Sequence, residues 1–351
     1  MKKGYFHRVH AQTPTKFWIN NPSYKEVDLA LEAGTLGCTN NPSYCQKMVD
    51  HDDESMAKQA LSVFDQVLRE EPDNSEAEGE LQRRLVKYTV DKFRPLYDQS
   101  NGVHGYVSIQ GDPVNEDDPN VVITEARKNK KLGPNACIKI PTTASGLEAM
   151  QTLIPEDTPI NATEVFGIAQ AISLFDMYDK VSKESGKRPM FFISHIAGIY
   201  DDHFRNYVEE NKVDISPDVL HQAGLAVARK LYMLMKERNY PGVFVGGGAR
   251  GLHHFTEMVG GDVVVTINWV GTAYDLIEQD PPVVSRVFNP VEQRVIDELM
   301  EKLPDFRRGY LEDGLTVDEY HHFGPVQLFR SSFLKSWNRV LALADERRKL
   351  L

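Results

Sequence analysis

The chain has 351 residues, enough to bury one large core or two modest ones; 41% of them are hydrophobic and 26% charged, with a mean hydropathy of −0.41. A formal charge of −11 argues against nucleic acid as a partner, since phosphate backbones require a basic face. No run approaches the roughly 18 apolar residues of a membrane span, the opening MKKGYFHRVHAQTP has no apolar run behind its lysines, and three cysteines, Cys38, Cys45 and Cys137, give no disulfide framework, so a soluble, cytoplasmic protein is expected.

Two short apolar runs, KFWI and TLGC, each lead into the same pentapeptide, NNPSY, at residues 20–24 and 40–44. In each copy an Asn is expected to cap a helix with its side-chain oxygen. The Pro then takes the first helical position, where its missing N–H costs nothing. Both copies read as turns from a buried strand into a helix. Residues 51–100 interrupt the pattern as a charged insertion of two helices, the second opening with Ser75 and Glu78 at capping-box spacing.

The rhythm then resumes with HGYVSIQ (104–110), ACIKI (136–140), PINA (159–162), MFFISHI (190–196), GVFVG (242–246) and DVVVTI (262–267). FFIS and VVVTI lack alternation, as parallel strands covered on both faces do. Helical patterns lie between them. SGLEAMQTLI repeats Leu147, Met150 and Leu153 at helical spacing, EVFGIAQAISLFDMYDKVSK keeps the period, and SPDVLHQAGLAVARKLYMLMKERN opens on a Ser cap with Pro at the first helical position. Counting 17–20 and 35–38, eight strands are each followed by a helix, the α/β pattern of a (β/α)8 TIM-type barrel. A doubly wound sheet is the rival that periodicity leaves open.

Residues 285–351 add two more helices, NPVEQRVIDELMEKL and one from about Pro325 onward. The second carries an apolar stripe of Phe329, Phe333, Trp337 and Leu341, suited to the barrel or to a second subunit. The whole of 1–351 reads as a single barrel domain.

Barrel enzymes carry their chemistry at the C-terminal ends of the strands. Those ends offer Asn20, Asn41, Gln110, Lys139, Asn161, Thr163, Ser194, the glycines 246–248 with Arg250, and Asn268. Lys139 stands out, inside ACIKIP at the end of an apolar strand. Desolvation disfavours an ammonium there and yields the neutral amine that a carbonyl-attacking lysine needs. The bland alternative is a lysine reaching solvent from a strand end.

IKIPTTASGLEAM followed by NATEVFGIAQA resembles the core of the transaldolase family. There a Schiff-base lysine on the fourth strand precedes a Thr-rich turn, and the fifth strand ends in Asn-x-Thr before an Ala-Gln-Ala helix. Thr39 to Ser43 is similar to the family's Thr-Thr-Asn-Pro-Ser signature, FFIS to its sixth-strand serine, and VGGGARGLHHFTEMVGGDVVVTI to its seventh and eighth units. The similarity runs in register from about residue 16 to 280.

The resemblance implies a circularly permuted relative of other class I aldolase barrels. It would transfer a dihydroxyacetone unit from a ketose or ketose phosphate to an aldose or aldose phosphate, as in the pentose phosphate pathway. It implies sugar or sugar-phosphate partners, no cofactor, no metal, and a homo-oligomer. Carried across residue by residue, Lys139 would form the iminium, Asn41 and Asn161 would bind the hydroxyls of the three-carbon unit, and Ser194 its terminal hydroxyl. Thr163 would position a proton-shuttling water, and Arg250, beside Gly248 on the glycine-rich turn at a helix start, would take a phosphate.

The departures matter as much. Asn20 stands where the family carries an aspartate, and Gln110 where it carries a glutamate as general acid and base, as in the fructose-6-phosphate aldolase branch. An amide cannot exchange a proton. Asp112, further along, and His195, beside Ser194, are candidate replacements, with core packing as the other reading of His195. Ile199 replaces a second phosphate-binding arginine, a loss worth ~1.5–3 kcal/mol of phosphate recognition. These changes favour an alternative: release of free dihydroxyacetone, or the same chemistry on an unphosphorylated or modified sugar.

Two readings from other classes remain. Gly246, Gly248 and Gly251 fit G-x-G-x-x-G, which would mean a nicotinamide oxidoreductase, but the next strand ends in Asn268-Trp269 rather than an acid. A barrel that binds sugars without turning them over is the other. The pairs His253-His254 and His321-His322 read as solvated or packing side chains, because neighbours on a helix point apart and no carboxylate or cysteine stands at ligand spacing. Cys137 reads as core filling.

Overall fold

The computed structural model describes residues 4–351. Eight strands, Lys16–Asn20 (β1), Cys38–Asn40 (β2), Val107–Gln110 (β3), Ala136–Pro141 (β4), Ile160–Val165 (β5), Phe191–His195 (β6), Val243–Gly246 (β7) and Val264–Ile267 (β8), form a closed barrel in chain order. Every pairing is parallel, and β8 closes on β1 with Val264 opposite Lys16 and Ile267 opposite Ile19. Each strand lies beside its neighbour in sequence, so the sheet never reverses its order and no edge remains exposed. That order excludes the doubly wound sheet.

The strand period of two sets what lies inside. Trp18, Cys137, Phe192, Val245 and Val264 pack with Tyr106 into an apolar plug within the barrel, so Cys137 does fill core space. Two residues further along β1, β4, β6 and β8 the inward positions become Asn20, Lys139, Ser194 and Thr266. An apolar floor thus underlies a polar layer at the C-terminal end. The other faces of the strands pack against the surrounding helices in one large core.

Several local expectations need correction. β2 begins at Cys38 rather than at Thr35, because residues 35–37 cross the Trp18 indole: a Cβ on Gly37 would lie 2.3 Å from that ring. In the first NNPSY copy Ser23, not an Asn, caps the helix Tyr24–Glu32, closing a capping box with Glu26, and Pro22 lies outside the helix. Asn21 is left-handed at φ 43°, which keeps the residues before Ser23 off the helical path. In the second copy the helix Tyr44–Val49 likewise begins after Ser43.

The insertion forms the helices Glu54–Glu70 and Asn74–Gln99, capped by Asp53 and Asp73. Ser75 already lies in the first turn of the second helix, and Glu78 is buried rather than part of a capping box. Ser216 caps Pro217–Leu220 as expected, but the chain breaks there and resumes as Ala223–Glu237. The C-terminal region holds Gln293–Lys302, a further helix Pro304–Tyr310, a 3₁₀ turn Val317–His322 and the long helix Gly324–Arg348. A helix not foreseen, Tyr5–Gln12, stacks Phe6 on Phe17 with ring centroids 3.9 Å apart.

The long C-terminal helix lies against its own barrel. Phe333, Trp337 and Val340 are buried and Phe329 nearly so, while Leu341 is only half-buried because Val340 takes the inward position. The helix touches β5 and the helices Tyr44–Val49, Asn74–Gln99 and Ala197–Asn211. Among the described residues no helix is long and apolar enough to cross a membrane.

Candidate active site

A cavity of about 1280 Å³ opens at the C-terminal ends of the strands. Asn20, Asn41, Lys139, Ser194, Gly248 and Arg250 all line it, together with Asn268 and, from the long C-terminal helix, Phe329 and Phe333. Gln110, Asn161 and Thr163 lie in the buried strand ends around the lysine. The barrel register aligns Gln110 on β3, Lys139 on β4 and Asn161 on β5 as one rung.

The Lys139 side chain is buried, with its Nζ 6.0 Å from the centroid of the Phe333 ring. Burial pulls its pKa down from 10.5 to about 8, and the nearby Glu164 carboxylate pulls the other way. A useful fraction of the amine is therefore neutral near physiological pH.

The polar layer is prearranged. Asn161 accepts from Ser194 Oγ at 2.6 Å and donates to Ser108 Oγ at 3.2 Å. Asn20 donates to Asn268 Oδ1 at 2.8 Å and accepts from Thr39 Oγ1 at 2.8 Å. The two NNPSY copies meet side by side: Asn21 donates its amide to Asn41 Oδ1 at 2.7 Å, and the backbone N–H of Asn41 donates to Asn21 Oδ1 at 2.9 Å. Ser43 N–H also donates to Asn41 Oδ1, at 3.0 Å. With that oxygen engaged, the Asn41 amide N–H groups are what it can offer a ligand.

Glu164, which strand alternation would turn to the face opposite that of Thr163, is a site residue that the strand pattern does not reveal. The strand is irregular between Ala162 and Val165, and Glu164 adopts φ 60°, a left-handed conformation costing about 1–3 kcal/mol in a non-glycine residue. Its carboxylate is fully buried and accepts from Gln110 Nε2 at 3.0 Å. Burial pushes its pKa up from 4.5 to about 7, against the Gln110 hydrogen bond, Lys139 and Arg330. The available signal was a single carboxylate within the otherwise uncharged NATEV.

Arg330, on the C-terminal helix, was also missed. Its Nε lies 2.7 Å from Glu116 Oε1 and its Nη2 3.0 Å from Asp117. Burial, with Glu164 second, pushes Glu116 up to about 9 against the pull of Arg330.

Three expectations about neighbouring residues change. His195 is fully buried behind the barrel wall, its ring nitrogens 2.8 Å from Val165 O and 3.2 Å from Gly224 O, and burial lowers its pKa to about 4. It is a packing histidine. Asp112 is tied into its own loop, accepting from Val114 N–H at 2.6 Å, Asn115 Nδ2 at 2.7 Å and Ser75 Oγ at 3.3 Å. The histidine pairs do find carboxylates, supplied by distant elements: His254 Nε2 lies 3.0 Å from Asp201 Oδ2, and His321 Nδ1 lies 3.1 Å from Asp117. Asp201, His253 and His254 bring one ligand atom each within 4.8 Å of one another. Asp201 also accepts from Gly224 N–H and His254 from Arg250 N–H, so the pair props the 247–250 turn.

That turn differs from the expected anion cradle. Arg250 Nε donates to Asp202 Oδ2 at 2.6 Å and Nη1 to Gly248 O at 3.3 Å, so its guanidinium is already engaged. The helix that follows, His253–Thr256, is short and starts three residues later, which weakens both the phosphate cradle and the dinucleotide reading. Gly248 has φ 67°, and a Cβ there would lie 2.5 Å from Ile196, so the backbone requires glycine. Ile199 lines the same cavity.

A family model described as transaldolase/fructose-6-phosphate aldolase matches residues 17–295. A transaldolase from Thiobacillus denitrificans is 32% identical over 172 residues, which is 46% of this chain and 46% of that protein. Another from Acidothermus cellulolyticus is 29% identical over 235 residues, covering 63% of this chain and 62% of that one. The chain thus spans about half to three fifths of the length of these curated relatives. Among solved structures, the carboxyl transferase domain of Rhizobium etli pyruvate carboxylase with pyruvate covers 97% of this chain and 51% of its own, at a TM-score of 0.35 and 11% identity, too low to argue from.

Proposed function

The chain belongs to the transaldolase/fructose-6-phosphate aldolase family, and from that membership we propose that it is a Schiff-base enzyme moving a dihydroxyacetone unit from a ketose to an aldose. One observation carries the reading: the amine of Lys139 is buried at the cavity, with its pKa lowered to about 8 by that burial.

Neutral Nζ attacks the C2 carbonyl of the ketose. The C–N bond forms, and the carbonyl oxygen leaves as water, carrying one proton from the amine and one from an acid. The resulting iminium is an electron sink. When the C4 hydroxyl gives up its proton, the C3–C4 bond breaks, its electron pair passes into the enamine, and an aldehyde departs. Addition of the enamine to an acceptor aldehyde reverses these steps, and water then frees the lysine. In this reading the Asn41 amide, Asn161 and Ser194 hold the hydroxyls of the three-carbon unit, Asn20 and Thr163 order the proton path, and Arg250 faces the far end of the sugar.

A second reading concerns the donor. Ile199 and the Asp202–Arg250 ion pair at the same cavity favour a sugar without a phosphate, or release of free dihydroxyacetone. Fructose and fructose 6-phosphate, each carbon-labelled at C1 to C3, can be incubated with a panel of aldoses with and without phosphate. Label in a new ketose supports transfer, and label in free dihydroxyacetone supports the aldolase reading. Label confined to every donor tested contradicts both.

A further inference from the structure

We propose that Glu164 is the group that takes and returns the proton in this reaction, a task moved from the end of β3, where Gln110 stands, to the end of β5. The proposal rests on the Schiff-base reading of Lys139.

The geometry is specific. The Gln110–Glu164 hydrogen bond, at 3.0 Å, joins β3 to β5 and so closes over β4, the strand that carries Lys139. Gln110 holds one carboxylate oxygen, while Glu164 Oε2 is buried with no hydrogen-bond partner among the described residues, an unmet acceptor beside the lysine strand. Gln110 Oε1 and Thr163 Oγ1 are likewise buried and unpartnered among the described residues. Unmet polar atoms of this kind, all at the strand ends around Lys139, are the partners a proton-carrying water requires. The left-handed backbone at Glu164 holds a carboxylate where strand alternation would not have put it, and strain of this kind persists where the surroundings impose it.

The charge balance suits the task. The groups acting on Glu164 are Gln110 from β3, Lys139 from β4, Glu116 from the turn after β3 and Arg330 from the C-terminal helix. Burial raises the carboxyl to about 7, close to where a proton carrier works best. Ionised Glu164 accepts the C4 hydroxyl proton as the C3–C4 bond breaks. The neutral acid then returns that proton to the alkoxide oxygen formed when the enamine adds to the acceptor. No other reactant is required. Gln110 acts as a positioning residue, fixing Oε1 and leaving Oε2 to work.

The test uses Glu164→Gln, which keeps the shape and the amide contact, and the exchange variant Gln110→Glu with Glu164→Gln. Turnover of Glu164→Gln is expected to fall roughly 100- to 10,000-fold, while borohydride with a ketose donor still yields one adduct on Lys139, showing an intact fold. Loss of the negative charge should also move the pH midpoint of trapping downward, because Glu164 holds the lysine pKa up. The exchange variant should recover at least about tenfold over Glu164→Gln, a rescue that a merely structural role does not give. The proposal is overturned if Glu164→Gln turns over within about threefold of wild type, or if the exchange rescues nothing and the trapping profile does not move. An absent adduct in the wild type would instead remove the Schiff-base reading itself, and this proposal with it.

Discussion

The amine of Lys139 on β4 faces the ring of Phe333 on the C-terminal helix, 6.0 Å from its centroid. A helix outside the eight barrel units thus forms one wall around the candidate nucleophile.

Two effects of that ring oppose each other. Its π face favours the ammonium by up to about 2 kcal/mol at a desolvated site, while its bulk excludes water and favours the neutral amine. Burial is the leading cause of the lowered pKa, and the ring supplies part of that burial. Phe333→Ala is therefore expected to raise the lysine pKa above about 8 and to shift the pH profile of borohydride trapping to more alkaline pH. A profile displaced toward acid would mean that the cation–π contact dominates.

The paired NNPSY turns give a second prediction. Asn21 fixes the Asn41 oxygen, and in the proposed mechanism the Asn41 amide is what meets the substrate. Asn21→Ala should raise KM for the donor by roughly tenfold with a smaller change in kcat, since it loosens binding rather than chemistry. Equal loss in both parameters would assign Asn21 to the chemical step.

Asp202 competes for Arg250. Asp202→Asn should free the guanidinium and raise kcat/KM for fructose 6-phosphate relative to fructose by roughly tenfold. Arg250→Ala should abolish any preference between them. A ratio unchanged in both variants would place phosphate recognition elsewhere.

Glu78 bears on stability. It is fully buried, neither carboxylate oxygen has a hydrogen-bond partner among the described residues, and burial pushes its pKa up to about 10 from 4.5. Above pH 4.5 the unfolded chain releases this proton while the native state keeps it. The contribution to stability is therefore complete below pH 4.5 and is lost as pH rises toward 10. Glu78→Met, similar in volume, is expected to be more stable at pH 7 by about 1–3 kcal/mol, with the difference vanishing near pH 4.5. Urea denaturation at the two pH values measures it, and a variant less stable at pH 7 would contradict it.

The barrel was legible in the sequence because each strand is an apolar run followed by a helical period, and the strand ends named Asn20, Asn41, Lys139, Ser194 and Asn268 of the cavity lining. Lys139 could be read from its neighbours, since a lysine two residues beyond Cys137 in an apolar strand must face the same interior. The caps were not legible: Asn, Ser and Asp compete for the same role, and only the left-handed turn at Asn21 decides for Ser23. Glu164 was hidden for a related reason, because the irregularity that turns it depends on register with β6 rather than on local residue pattern. Arg330 and Phe333 reach the site only through the path of a helix nearly two hundred residues away in sequence, and the Asp202–Arg250 pair likewise depends on how two loops meet.

The central claim is that the Lys139 amine captures a ketone. Wild type and Lys139→Ala can be reduced with borohydride in the presence of fructose or fructose 6-phosphate, and the products followed by intact mass and peptide mapping. A single three- or six-carbon adduct located on Lys139, formed faster as pH rises through about 8 and absent from the variant, is the expected result. An adduct on another residue, or one that survives in Lys139→Ala, would contradict the account.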